Sequence, residues 1–250
     1  KGVLMPHCGV APGLVGIAGA YLARSFETVR SIKIRVGALP QHPTELLGYA
    51  FNRSPEAVVN EYLNDCEVIE EGEQMWVAPM DRIETVYVCG TKLEAFTSSG
   101  GLGTIGETFK GRVENLDYKT MRYPGHVALM NFFFHELLMR DHREMAGRIL
   151  TNAKPPVEDD VVYVDVSAEG QIEGKLQRRE FVRSFYPKVI VGERRTAIVW
   201  TKLASVCAII ELVQSGKLPA RGFVKQEDVR LDDFLSTSCG KLFGVDALNI

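Results

Sequence analysis

An α+β fold follows from three features of the sequence: short alternating strands with glycine and proline turns in the first half, a β-rich hairpin around Gly170 and Gly174, and an apolar helical run after Thr196. Residues 8–13 form a glycine/proline turn that feeds a helix over residues 14–26, whose small residues Gly16, Ala18, Gly19 and Ala20 suit an interior position or the close approach of a ligand. Residues 29–36 alternate as a strand, and residues 37–43 interrupt it. Residues 46–52 read as a second strand, after which Ser54 caps a helix with Pro55 at its first position and Asn64 near its end. Residues 66–75 contain a hairpin turn, and residues 83–89, 93–97 and 112–122 are further strands. Residues 126–140 show helical spacing, residues 140–153 form a second, more polar helix, and residues 154–160 are a linker that acts as a joint within one body. Residues 161–166 and 181–191 pair as an antiparallel hairpin, and the last long helix runs from Thr196 to about Gly216.

Bulk properties narrow the function classes. With 250 residues, 46% of them hydrophobic and 24% charged, the chain has the composition of a soluble globular protein with a sizeable core. A net charge of -3 with both signs interspersed offers no surface for nucleic acid or a membrane. The 5 cysteines, Cys8, Cys66, Cys89, Cys207 and Cys239, are scattered without a CxxC, which argues against a disulfide framework and a zinc site and points to a reducing cytoplasm. The longest apolar stretch, residues 197–213, carries Lys202 and Glu211, so no membrane span is expected. The 5 histidines show no metal-ligand spacing, and no GxSxG elbow stands out, which lowers metal and hydrolase readings. Lys1 and a short apolar run precede the first turn directly, an entry that reads as the middle of a longer fold.

The chemically densest stretch is Tyr118-Lys-Thr-Met-Arg-Tyr-Pro-Gly-His126. Strand alternation sends Tyr118, Thr120 and Arg122 to one face and Lys119, Met121 and Tyr123 to the other. Pro124 is expected at the first helical position, with Gly125 and His126 in a first turn whose free N–H groups attract anions. Val127, Met130, Phe134, Leu137 and Leu138 would form the apolar face behind it. Arg122, with its planar fork, and that helix end would together receive a carboxylate, and Arg53, at another strand-to-helix junction, could supply a second guanidinium. The plain alternative is a basic strand edge capped by an ordinary helix.

Gly101-Leu-Gly-Thr-Ile-Gly106 satisfies GxGxxG, yet it fails as a dinucleotide turn. The segment before it alternates in polarity, Lys110-Gly111 stops any helix within about a turn, and Arg122 to Gly125 stand where a ribose-binding acid belongs. Residues 97–101 instead read as a loop offering hydroxyls and backbone N–H groups beside a substrate, or simply as a glycine turn.

Five segments, in this order and spacing, resemble the saccharopine dehydrogenase-like family: Cys-Gly-Val-Ala-Pro-Gly-Leu (8–14), Val-Gly-Ala-Leu-Pro (36–40), Leu-Gly-Tyr-Ala-Phe-Asn-Arg-Ser-Pro (47–55), Leu-Glu-Ala-Phe-Thr-Ser-Ser-Gly-Gly-Leu (93–102) and residues 118–126. The chain is more similar to lysine 6-dehydrogenases than to saccharopine reductases, which carry an aspartate and a cysteine where Ala11 and Val36 stand here. This resemblance implies a mixed, largely antiparallel sheet with helices on one face, and an oxidoreductase that moves hydride between NAD or NADP and a carbon bearing an amine. It further implies a catalytic and dimerisation domain over residues 1–195, and a helical segment over residues 196–250 packing toward a Rossmann domain that would hold most of the cofactor.

Hydride loss from a C–N carbon needs the amine lone pair, so a base must first take an ammonium proton. His126 is the first candidate, kept neutral by its place at a helix start, and Lys119 the second, if desolvated. Arg122 and Arg53 are expected to bind substrate carboxylate, Thr97 and Ser98 to hydrogen-bond its amine or backbone, and Tyr123 to touch it or solvent. Gly9, Ala11, Pro12 and Gly13 would face the nicotinamide. The expected partners are a small amino acid and a second copy of the chain, since the edge-rich β half favours a sheet-mediated homodimer. Two other readings stand beside this one: a non-catalytic amino-acid-binding or assembly module, and a carboxynorspermidine or homospermidine synthase-like enzyme.

Overall fold

The computed structural model describes residues 2–244. In chain order its first half contains β1 (Val3–Leu4), α1 (Leu14–Ala23), β2 (Thr28–Pro40), α2 (Pro55–Leu63), β3 (Cys66–Glu70), β4 (Glu73–Val77), β5 (Glu84–Val88), β6 (Thr91–Thr97) and α3 (Ile105–Phe109). There follow β7 (Asn115–Arg122), α4 (His126–Asn131), α5 (Arg143–Ala153), β8 (Asp160–Ile172), β9 (Lys175–Phe185), β10 (Lys188–Ile190), β11 (Glu193–Arg195), α6 (Ala197–Gln214), β12 (Gly222–Phe223) and α7 (Leu231–Ser236). The expected C-terminal segment continues into residues 245–250, which lie outside the described residues.

One 8-stranded sheet organises the chain, in the order β4-β3-β7-β2-β8-β9, with the β5–β6 hairpin joined through β6 to β7. The β2–β7 pair is parallel, and the other pairs of this sheet are antiparallel. This is the α+β fold with a mixed, largely antiparallel sheet that the sequence predicts. On one face Ile32, Ile34, Leu116, Val162, Val164 and Val166 pack against α1, α3, α6 and α7. A second core gathers α2, α4 and α5 around Leu39, Phe96, Met121 and Tyr163, near the ends of the strands. Both cores are apolar because alternate strand residues face them, and their burial is the main stabilising term.

Three local expectations give way to tertiary packing. The strand expected to stop at Val36 continues to Pro40, paired with β8 along its whole length. Gly37 permits this, since a Cβ there would meet the Met121 carbonyl oxygen at 2.9 Å. Residues 46–52 are not a strand: Gly48 turns left-handed at φ +54°, and Tyr49, Ala50 and Phe51 are buried as a loop. The helix expected over residues 126–140 is regular only to Asn131, widens into a π turn over Phe132–Glu136, and breaks at Leu138, whose φ is 56°. The wide turn puts Phe134 in the core and leaves Leu137 and Leu138 exposed, so those two do not extend the apolar face.

By length and composition α6 could cross a membrane, with a mean hydropathy of 1.6. A core helix passes the same test, and here Trp200, Ala204, Ala208 and Leu212 are buried against the first core. Its cap is not the Thr196 side chain. The buried Asp160 carboxylate, at the start of β8, accepts from the N–H of Ala197 at 2.5 Å and of Ile198 at 2.9 Å. Asp160 therefore ties the hairpin to the helix. Asp160→Ala should lower the unfolding free energy by about 1–2 kcal/mol, read as a lower midpoint in urea; an unchanged midpoint contradicts this tie.

Candidate active site

Strand β7 changes partners along its length, and the site lies where it does so. Its beginning pairs with β3 at Leu116, and its end pairs with β6 from Lys119 to Arg122. Tyr118, Thr120 and Arg122 share one face, as the period of two requires, and line a cavity of about 150 Å³. Gly9, Val10 and Ala11 from the turn before α1 form a second wall, Arg53 a third, and Ile198 and Lys202 of α6 the last. Three cations, Arg53, Arg122 and Lys202, thus surround a space whose nearby carboxylate, Glu61, is already paired two-pronged with Arg53.

Arg122 is 2% exposed and is held from three sides. Its Nε donates to the Tyr62 hydroxyl at 2.7 Å, its Nη1 donates to the Met121 carbonyl at 2.8 Å, and its guanidinium lies 4.5 Å from the centre of the Tyr49 ring. Nη2 has no hydrogen-bond partner among the described residues. A buried donor on a permanent cation is costly to leave unpaired, so this atom is where an anion gains most. Tyr62 is a neutral phenol, because burial pushes its pKa up against the pull of Arg122.

The structure moves several expected site residues out of the cavity. His126 is 1% exposed and does not line it. Its Nδ1 lies 3.0 Å from the Leu47 carbonyl and its Nε2 lies 3.0 Å from the Tyr62 hydroxyl. Both contacts are satisfied at once by a neutral ring that donates through Nδ1 and accepts from Tyr62 at Nε2. Burial, and then Arg122, push its pKa down to about 3. The ring stays neutral for that reason, not because of a helix start, and as the acceptor for Tyr62 it supports Arg122 from outside the cavity. Lys119 points to the opposite face, where it donates to the Arg82 carbonyl at 2.7 Å and lies 3.3 Å from Glu84. Burial and Arg35 lower its pKa, but the sheet separates it from Arg122, so its placement does not suit a base at this cavity.

The helix start is also occupied from within. Gly125 takes a left-handed conformation as the N-cap, Pro124 precedes the helix, and the Glu94 carboxylate accepts from the N–H of Gly125 at 2.9 Å and of Val127 at 2.7 Å. An anion does sit there, as the helix end favours, but it is the protein's own. Tyr123 donates to the Pro40 carbonyl at 2.8 Å, away from the cavity. Thr97 is buried and donates to the Ala78 carbonyl at 2.7 Å, a structural bond. Ser98, by contrast, is buried with an unpartnered Oγ and lines a second cavity on the other side of Tyr118.

Of the expected cofactor-facing turn, Gly9 and Ala11 line the arginine cavity, Pro12 follows a cis peptide bond, and Gly13 caps α1. The GxGxxG loop opens a helix of only 5 residues. A Cβ on Gly101 would meet the Tyr118 ring at 2.2 Å, and one on Gly106 would meet Glu67 at 2.3 Å. The protein fills the space that a pyrophosphate would need, so this loop does not fit that part of a dinucleotide.

Sequence reasoning missed Tyr62, Tyr49, Glu61 and Lys202. No spacing rule joins Glu61 and Tyr62 on α2 to Arg53 and Arg122. Lys202 did leave a signal, as one of two charges, with Glu211, in a largely apolar helix.

A mixed sheet of this kind is the scaffold of an oxidoreductase family. The chain belongs to the saccharopine dehydrogenase C-terminal domain family, whose model matches residues 9–238. Among solved structures it resembles an apo histidine-tagged saccharopine dehydrogenase (L-Glu forming) from Saccharomyces cerevisiae, with a TM-score of 0.68 and 15% identity over 93% of this chain and 70% of that one. It also resembles the homospermidine synthase from Legionella pneumophila, solved in complex with NAD, with a TM-score of 0.57 and 13% identity over 91% of this chain and 54% of that one. At these identities the likeness is one of fold.

The buried histidine gives a pH prediction. Its folded pKa of about 3 lies below the unfolded value near 6.5, so the stability it contributes is complete above pH ~6.5 and is lost progressively as pH falls toward about 3. The slope per proton is about 1.4 kcal/mol per pH unit. His126→Gln should flatten the urea-midpoint profile between these limits relative to the parent; parallel profiles would show that the ring titrates normally.

Proposed function

We propose that this chain forms the substrate side of a nicotinamide-dependent oxidoreductase acting on the C–N bond of lysine, saccharopine or a related amino acid. The observation that carries this reading is the buried Arg122, which lines the cavity and whose Nη2 has no hydrogen-bond partner among the described residues, backed by Arg53 and Lys202. A planar guanidinium held on two other sides is a pre-organised receptor for one carboxylate oxygen, and a further cation nearby suits the second.

Membership of the saccharopine dehydrogenase family and the likeness to an enzyme solved with NAD support the class of reaction. A bound nicotinamide would take hydride from the carbon that carries nitrogen. The part of this chain suited to lie beside such a ring is the Gly9–Ala11 wall, where backbone and small side chains leave room. Arg122 and Arg53 orient the substrate through its carboxylate. Tyr118, kept protonated by burial and by the nearby negative charge of Glu61, acts as a donor toward the substrate. Lys202 lines the cavity without a hydrogen-bond or ion-pair partner among the described residues, so its ammonium is free to meet a substrate anion. NAD or NADP serves this reading equally.

Arg122→Lys keeps the charge but loses the fork. It should weaken binding of hexanoate, a simple carboxylate probe, by about tenfold or more, measured by calorimetric titration, and raise KM more than it lowers kcat in an active enzyme assayed with NAD and NADP. Equal hexanoate affinity in parent and variant would remove the carboxylate assignment. Tight amino-acid binding with no oxidation by either coenzyme would favour a non-catalytic binding module.

A further inference from the structure

The fork of β7 opens a second space, beside the first and opposite in charge. At Leu116 the strand is paired with β3, and continuing that antiparallel register by two residues brings Glu67 beside Tyr118. Glu67 is itself the direct cross-strand partner of Trp76 on β4. From the other branch, the β6 register continued by one residue brings Ser98 beside the same tyrosine. Trp76, Glu67, Tyr118 and Ser98 therefore converge where β3 and β6 part, and together with His7 they line a cavity of about 180 Å³. The Gly101 backbone packs so closely on the Tyr118 ring that no other residue fits there, which fixes the ring as a wall between this space and the arginine cavity.

The chemistry of the second cavity is that of a cation receptor. Glu67 accepts one hydrogen bond, from Gln74 at 2.7 Å, and no lysine, arginine or histidine among the described residues lies within ion-pair distance of its carboxylate. Ser98 is 3% exposed, and its Oγ has no hydrogen-bond partner among the described residues. Two aromatic rings complete the enclosure, Trp76 from the solvent side and Tyr118 from within. Among the described residues Glu67 is the only acidic or permanently charged side chain at this wall, whereas the wall across Tyr118 carries Arg53, Arg122 and Lys202. An unpaired carboxylate beside ring faces and a buried hydroxyl acceptor match a primary ammonium, which has three donors and is attracted by aromatic quadrupoles.

We propose that the cavity formed by Glu67, Trp76, Ser98 and Tyr118 is a binding subsite for a primary ammonium group, and that with the arginine cavity it selects two-ended substrates carrying a carboxylate at one end and an amine at the other. The ammonium subsite stands by itself; the union of both ends in one substrate rests on the carboxylate reading given above. Dicarboxylates without a distal amine are disfavoured, because their second anion would meet Glu67.

The test uses three probes on the 250-residue chain: 1-aminohexane for the ammonium site, hexanoate for the carboxylate site, and 6-aminohexanoate for both. Calorimetric titration gives affinities, and tryptophan fluorescence compared with that of Trp76→Phe reports occupancy at the ring. Glu67→Gln, which keeps the shape and removes the charge, should weaken 1-aminohexane by about tenfold while changing hexanoate by less than about twofold. Ser98→Ala should weaken the same probe several-fold, providing a second variant at a site where no native hydrogen bond is lost. No binding of 1-aminohexane, or equal affinity in the parent and Glu67→Gln, overturns the ammonium subsite. If 6-aminohexanoate binds no more tightly than the better single-ended probe, the two cavities do not serve one substrate. Absence of hexanoate binding alone overturns the carboxylate reading and leaves the ammonium result intact.

Discussion

The buried guanidinium of Arg122 is the constraint on which the rest of the site depends. A permanent cation taken out of water must be compensated, since neutralising it by losing a proton is not open to arginine. The fold meets that requirement with neutral groups: the Tyr62 hydroxyl, the Met121 carbonyl and the Tyr49 ring face. Tyr62 can accept from Arg122 because its own proton goes to His126, and His126 can take it because its other nitrogen faces the Leu47 carbonyl. Each member fixes the protonation of the next. The compensation stops short at Nη2, which has no hydrogen-bond partner among the described residues, and that shortfall favours an anion beside it.

The fork of β7 converts this local arrangement into a two-sided cleft. A strand that keeps one neighbour presents a continuous row of side chains, but one that exchanges β3 for β6 leaves a gap at the crossing, and Tyr118 occupies it. On one side of that ring the walls are cationic, and on the other the charge is a single carboxylate. Charges of opposite sign separated by one aromatic residue are the polarity that the proposed two-ended substrate would match. The opposite face of the same strand is a closed ion network, in which Arg35 pairs with Asp117 at 2.8 Å and with Glu84 at 2.5 Å while Lys119 joins Glu84. Its charges satisfy one another and leave little to offer a ligand.

Membership of the saccharopine dehydrogenase family fits this division of labour. On the proposed reading the described residues hold and orient a substrate, and the loop that most resembles a dinucleotide turn is filled by Tyr118 and Glu67. Its glycines serve close packing between a loop and a sheet instead of phosphate contact. The same physical property, the absence of a Cβ, answers both needs, which is why the motif without its strand and helix context misleads.

Much of the frame was legible in the chain itself. Alternation with a period of two placed Tyr118, Thr120 and Arg122 on one face, Ser54-Pro55 opened α2, and the run around Gly170 and Gly174 is the β8–β9 hairpin. These features are local, because they depend on backbone geometry and on residues a few positions apart. What tertiary structure alone decided was the partner of each polar group. Pattern could not show that Glu94 would fill the helix end at Gly125, that His126 would turn inward to Tyr62, or that Glu61 would bind Arg53. The first two pairs are separated by 31 and 64 residues and meet only when distant elements pack, and the third joins Arg53, just before α2, to Glu61 on it, 8 residues further on. The sequence by itself determined which side chains β7 displays and on which face. The fold decided which were satisfied and which were left open, because pairing of a buried charge depends on every element that closes around it.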